Sequence, residues 1–322
     1  MNSRAEDWAP LPDPMPMNRV LLKLEQRLLQ LFRGTVSLGD LLRDALVNEA
    51  CAWVDQNPLQ AFLFTRMKGG HAMTPRHGIN VMLTARAWAR TSHKLGPKLE
   101  LFSRACLIHD LGHWRPDDLT MVLGAFTHEQ ARALRRHAVI EDEAIAELDP
   151  QQREWIEQHH EQPDGRGYPK GMRNPHPLAQ MIRIVDCFEG LTSMRPFRKD
   201  YSYCEALSLM SRWAGFKYDA GLFKSFRNFL GAFPGGTYVR LADGALGVTI
   251  HGTALGLWCL VLTDGNGHPL AEPGHRTVEE AEIRGEAFHF QELALPEPWR
   301  SLRPDLLGLP RSLDEAHHPP LD

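Results

Sequence analysis

From about Pro75 to Phe233 the sequence repeats one pattern. Apolar residues recur at spacings of three and four, broken by short polar loops, and a chain so patterned folds into packed helices. The runs Ile79–Lys94, Pro97–His109, Thr127–Leu148, Gln151–His160, His176–Thr192, Tyr203–Trp213 and Ala220–Leu230 each carry an apolar face. Thr127 and Gln130 stand at capping-box spacing at the start of one of them. Ahead of this body, Leu21, Leu24, Leu28 and Leu31 form a helical stripe. Leu38–Gln56 reads as a further helix, opened by Ser37 or Asp40 and ended by "DQNP", because the residue before a proline is pushed out of the helical region. After "GAFPGG" the period drops to two. "TYVRLADGALGVTIHG" reads as strand, Asp-Gly turn and strand, and "ALGLWCLVLTDGNGHPL" as another strand pair. The expected organisation is mainly α: a flexible Pro-rich arm (1–18), an N-terminal helical region (19–70), an all-helical bundle (71–233), a small β module (235–295) and a Pro-rich tail (296–322).

Charge and composition exclude several functions. The net charge of −4 gives no push toward nucleic acid or an anionic membrane, so neither is an expected partner. Apolar residues at 43% and charged residues at 24% are ordinary for a soluble globular chain. The five cysteines are odd in number, widely spaced and without a CxxC, which suits free thiols in a reducing compartment. No run approaches the roughly 20 apolar residues that span a bilayer. The first residues lack the apolar stretch of a secretion signal. The expected location is the cytoplasm.

The unusual feature is where polar residues fall on the helices. His77 opens one, His109 and Asp110 end another, His137 sits inside the next, His159 and His160 end the following one, and Asp186 lies inside the apolar run "MIRIVDCFEGL". Burying an imidazole or a carboxylate is costly unless it is paired or ligates a metal. A lone buried histidine is more often a hydrogen-bonded core residue, and "RPFRK" alone reads as a solvated helix–loop junction. Asp186 is harder to dismiss, since it needs a dedicated buried partner. The joint pattern is the specific signal, because imidazoles and carboxylates converging from several helices are how a helical fold builds a di-metal site.

On these residues the segment from His77 to about Phe233 resembles the HD-GYP domain, a subgroup of the HD superfamily of metal-dependent phosphohydrolases. The matching stretches are "HGINV", "HDLGH", "RRHA", "HHEQPDGRGYPKG" and "DCFEGLTSMRPFRK". The resemblance implies an HD-type bundle and a bacterial cyclic di-GMP phosphodiesterase whose products are pGpG, GMP or both. It implies two divalent cations, iron or manganese first and zinc as the further option. They would be held by His77, His109, Asp110, His137, His159, His160 and Asp186, with Asp110 bridging and catalytic. Such a pair neutralises charge on the phosphoryl oxygens and makes a water acidic near neutral pH. Arg195 and Arg198 resemble the family's phosphate-contacting positions. The Gly167-Tyr168-Pro169 loop is implicated in the family in contacts with diguanylate cyclase (GGDEF) domains; a rigid loop anchored by Tyr168 is the purely structural reading. A homodimer is compatible with all of this.

Three positions depart from the family pattern. His113 stands where the family has a lysine that holds the phosphate and assists the leaving group, so it is the expected second catalytic and substrate-binding residue, with a pH-dependent charge. Met73 replaces the glutamate that holds a third metal in some members, so two metals are expected. Glu189-Gly190 replaces Asp-Ala in "DALTS". Three alternatives follow: a catalytically weak or inactive receptor that binds cyclic di-GMP or a cyclase partner, a phosphohydrolase of another nucleotide, and a pure interaction protein served by the N-terminal helices and the β module, which carry no recognisable catalytic motif.

Overall fold

The computed structural model of the 322-residue chain describes residues 14–56, 58, 65, 73–110, 135, 148–193, 201–253 and 256–286. Its helices are α1 (Pro14–Phe32), α2 (Leu38–Leu42), α3 (Ala45–Gln56), α4 (Met73–Ser92), α5 (Lys98–Ile108), α6 (Pro150–Gln158), α7 (Pro177–Thr192), α8 (Tyr203–Ser211) and α9 (Ala220–Leu230). Strands β1 (Tyr238–Leu241), β2 (Leu246–Thr253), β3 (Gly256–Thr263), β4 (Pro269–Val278) and β5 (Ile283–Glu286) follow. The expected helical body with a C-terminal β module is what forms. Three boundaries differ. α4 starts at Met73 rather than Ile79, so His77 lies inside it and does not open it. The first helix starts at Pro14, so residues 14–18 are not a flexible arm; proline is compatible with a first helical turn, and Met17 is buried. The expected helix Leu38–Gln56 is two. Ser37 caps the first by accepting from Asp40 N at 3.0 Å. Asp44 starts the second by accepting from Leu46 N at 3.0 Å, and an ion pair with Arg27 at 2.7 Å holds it there. The expected helix Thr127–Leu148 lies almost wholly outside the described residues.

α4 is the centre of the bundle. It packs against α1, α3, α5, α7 and α9, and every residue from Pro75 to Ala89 is buried. A helix covered on all sides must satisfy its polar side chains internally. Arg86 donates to both carboxylate oxygens of Asp55 on α3 (2.8 and 2.7 Å), to Glu100 (2.6 Å) and to Ser103 (2.9 Å) on α5. Arg76 pairs with Glu25 of α1 at 2.5 Å. Trp88 donates its indole N–H to Ser225 of α9 at 3.1 Å and meets Phe226 edge to face at 5.0 Å. Truncating an aromatic so placed costs about 3–5 kcal/mol. Close approach of α4 to α5 depends on Gly78, where an added Cβ would stand 2.4 Å from the Leu107 carbonyl oxygen.

The β module is one antiparallel sheet in the order β4-β3-β2-β1-β5, with the Asp243-Gly244 turn between β1 and β2 as expected. It has its own core of Val239, Leu241, Ala245, Leu257, Cys259 and Val278. Glu286 of β5 ties it to the bundle by accepting from Tyr203 N at the start of α8, at 3.1 Å.

Candidate metal centre

Helix ends deliver most of the site. α5 stops at Ile108, leaving His109 as its C-cap and Asp110 immediately beyond. α6 is opened by Asp149, which accepts from Gln151 N at 2.8 Å with Pro150 behind it, and is anchored by the fully buried Trp155 and Ile156. It ends with His159 as C-cap. α7 carries Asp186 and Glu189 one turn apart, hence on one face. α4 supplies His77 from within its first turns.

These side chains converge. One ligand atom each from His77, His109 and Asp186 lie within 4.8 Å of one another, as do one each from His109, Asp110 and His159. His77 Nε2 is 3.1 Å from Asp186 Oδ1. The Asp110 carboxylate spans both groups: Oδ2 is 3.6 Å from His77 Nε2, and Oδ1 is 3.7 Å from Nε2 of both His109 and His159. At 3.6–3.8 Å these are too long for hydrogen bonds, yet they match the spacing of donor atoms around a shared cation. The rings of His77 and His109 are 5.1 Å apart, those of His109 and His159 5.2 Å.

The imidazoles are oriented for ligation. His109 Nδ1 donates to the Cys106 carbonyl at 2.8 Å and His159 Nδ1 to the Ile156 carbonyl at 2.6 Å. A carbonyl only accepts, so each Nδ1 carries the proton and each Nε2 presents a lone pair to the cluster. His77 Nδ1 is in contact with the Glu189 carboxylate. His109 Nε2 is fully buried and has no hydrogen-bond partner among the described residues. Three imidazoles with an oxygen behind Nδ1, two carboxylates between them and a buried nitrogen lone pair together fit a divalent cation.

The charges reinforce one another. With no cation bound, burial works against an imidazolium at His77, but the Glu189 and Asp186 carboxylates override it and lift its pKa to about 10; a divalent cation held there would take the place of that proton. Burial also opposes the Asp186 carboxylate, and the facing imidazoles of His109 and His77 hold it well below the usual carboxylate range. Asp186 is therefore an anion throughout the neutral range.

The loop after His160 folds back over the site. Glu161 is fully buried and accepts from the backbone N–H groups of Lys170 (2.6 Å) and Met172 (2.8 Å), which closes the loop. An added Cβ at Gly167 would stand 2.4 Å from Gln162 N, so only glycine lets the strands of the loop meet. The Tyr168–Pro169 peptide bond is cis. The Tyr168 ring stacks on His160 at 4.5 Å, with the Arg135 guanidinium 5.6 Å from its centroid. Burial, with the Asp186 and Asp110 charges added, pushes the Tyr168 hydroxyl well above its ordinary range, so it remains a proton donor.

Of the expected site residues, His77, His109, Asp110, His159 and Asp186 are brought together. His160 is in neither ligand group; its ring lies 3.9 Å from that of His159 and against Tyr168. His113, His137, Arg195 and Arg198 lie outside the described residues. Sequence reasoning missed Asn80, Glu161 and Ser193 and read Glu189 only as a departure from a motif. The available signal was spacing: Glu189 stands three residues after Asp186 in an apolar run, and Asn80 three after His77.

Residues 65–222 match the HD domain family. The chain is 31% identical over 276 residues to cyclic di-GMP phosphodiesterase PA4108 of Pseudomonas aeruginosa, covering 77% of this chain and 66% of that protein. It is 29% identical over 109 residues to 3'3'-cGAMP-specific phosphodiesterase 1 of Vibrio cholerae, covering 32% of this chain and 25% of the relative. It is 28% identical over 132 residues to the cyclic di-GMP phosphodiesterase response regulator RpfG of Xanthomonas campestris, covering 38% and 34%. The chain thus spans less than two thirds of each of these relatives. Among solved structures it shares a fold with Bd1817, a HDG"Y"P protein from Bdellovibrio bacteriovorus, at a TM-score of 0.55 and 17% identity, covering 70% of this chain and 74% of that one.

Proposed function

We propose that the chain is an HD-GYP member of the HD-domain proteins and, from that premise, a metal-dependent phosphodiesterase hydrolysing cyclic di-GMP to pGpG, GMP or both. The observation that carries this reading is the convergence of His77, His109, Asp110, His159 and Asp186 from four of the described helices, with Asp110 reaching both ligand groups. Two divalent cations, iron or manganese, are the cofactors we assign. Bound there, they supply Lewis acidity that offsets phosphodiester charge and makes a water acidic near neutral pH. His137 and His160 are proposed as the remaining ligands.

The chain's own groups do the rest. The Nδ1 anchors of His109 and His159 hold each ring in one plane, so little rearrangement is needed when a dianionic substrate arrives. Asp186 keeps its charge at neutral pH. Burial around His77, His109 and His159 excludes water and strengthens each electrostatic contact. His113 is assigned the proton donation to the leaving oxygen, and Arg195 and Arg198 the clamping of the phosphates. Tyr168 braces His160 from the loop side, and we assign the outer face of that loop to a diguanylate cyclase partner. No helix of the described residues is long and apolar enough to cross a membrane, and we place the protein in the cytoplasm.

The test is direct. Protein reconstituted with Mn(II) or Fe(II) is incubated separately with cyclic di-GMP and with 3'3'-cGAMP, and products are separated by chromatography. Appearance of pGpG or GMP supports the proposal. Hydrolysis of 3'3'-cGAMP alone would move the chain to the other substrate named among its relatives. Tight cyclic di-GMP binding with no product would make it a receptor.

A further inference from the structure

His77 is held unlike the other two converging histidines. His109 and His159 sit at helix C-caps, where the last carbonyls of a helix have no intrahelical donor. Each uses such an oxygen, three residues back, to hold its Nδ1. His77 lies inside α4, a helix that runs on to Ser92, so the carbonyls behind it are engaged in the helix ladder. Its Nδ1 partner must come from elsewhere, and it is Glu189, 112 residues away on α7. Glu189 is itself held: Oε1 accepts from Asn80 Nδ2 at 3.1 Å and from Ser193 Oγ at 2.6 Å. All four residues are buried. Asn80 is one turn from His77 on α4, and Ser193 caps the end of α7, so both helices that carry ligands on this side lock the same carboxylate.

We propose that Glu189, braced by Asn80 and Ser193, is the positioning residue that fixes the ring plane and tautomer of His77, and that it makes the two cation positions unequal. This rests on the two-cation reading above. A carboxylate behind an imidazole makes it a stronger donor than a neutral carbonyl does. The position bounded by His77, His109 and Asp186 therefore has a carboxylate behind His77, whereas the two imidazoles of the position bounded by His109, Asp110 and His159 are held at Nδ1 by backbone carbonyls. The first binds a divalent cation more tightly than the second.

The test is a Mn(II) titration of metal-stripped protein, followed by calorimetry and by electron paramagnetic resonance. Wild type shows two affinities. Glu189→Gln keeps the size of the side chain and lowers the tighter one by about 10- to 100-fold, leaving the weaker one in place. Glu189→Asp recovers part of the loss. Ser193→Ala and Asn80→Ala, which loosen the brace while keeping the carboxylate, lower the same affinity several-fold and serve if Glu189→Gln fails to fold. A single common affinity in wild type, wild-type affinities in Glu189→Gln, or an equal loss at both positions overturns the proposal. Two unequal Mn(II) affinities in a protein that leaves cyclic di-GMP intact would overturn the phosphodiesterase assignment instead.

Discussion

The helical body and the β module differ in how completely they meet their buried polar side chains. In the module, Thr237 and Thr249 both donate Oγ1 to the Pro234 carbonyl, at 2.5 and 2.6 Å, and Thr249 Oγ1 also accepts from Thr237 N at 3.0 Å. Thr263 Oγ1 accepts from Leu246 N at 2.9 Å and donates to the Asp264 carbonyl at 3.0 Å. In the body, Arg76 Nε, Asn80 Oδ1, His109 Nε2 and Trp155 Nε1 are buried with no hydrogen bond among the described residues. Leaving such a group unmet costs about 1–3 kcal/mol, so a fold keeps it where something else compensates. Saturated polarity marks architecture, here a closed turn. Unmet polarity marks a place for a ligand, but only in company: Trp155 Nε1 stands apart, whereas His109 Nε2 faces Asp110 and Asp186.

That contrast breaks most visibly at Asp110. Asp110→Ala should lower turnover of cyclic di-GMP by about three orders of magnitude and strip metal, measured by elemental analysis, while circular dichroism stays helical. Wild-type turnover in this variant would refute the site. Gly78→Ala comes next. Its Cβ would meet a backbone oxygen that cannot rotate away, so α4 and α5 must separate, at a cost of about 2–3 kcal/mol in a denaturant titration despite the better helix propensity of alanine. Metal affinity should fall with it, since His77 and His109 ride on those helices. Thr249→Val sharpens the comparison from the other side. It leaves Thr237 N without its side-chain acceptor and should destabilise the module by about 1–2 kcal/mol, with metal content and turnover unchanged. Loss of metal there would show that the two regions are not separable. The smallest effect belongs to Gly190→Ala. A Cβ at that position meets nothing within 4 Å among the described residues, so the change should stabilise α7 by up to about 1 kcal/mol and raise the melting temperature.

The departure at Gly190 illustrates what a motif comparison misses. Beside a site, a glycine in place of alanine suggests a close approach that needs it; among the described residues none comes within 4 Å of an added Cβ there. The neighbouring departure, Glu189, looks conservative and is the consequential one, because its carboxylate stands behind His77. The apolar stripe read on Ile79–Lys94 placed one face of α4 correctly, yet the helix is buried all round. Its polar residues look like an outer face in the sequence, and Arg86 belongs there by pattern. Only the positions of Asp55, Glu100 and Ser103 turn that face inward.

What the sequence determined by itself is what depends on near neighbours along the chain. Spacings of three and four set the helices, a period of two set the strands, and chain order put histidines and aspartates at helix ends or within apolar runs. Tertiary structure alone decided which ring nitrogen faces the cluster, that Asp110 reaches both ligand groups and that Glu189 supports His77. Those outcomes turn on contacts between atoms far apart in the chain, as with the 112 residues separating His77 from Glu189. Hydrogen bonding and cation affinity change over tenths of an ångström, a scale on which periodicity carries no information.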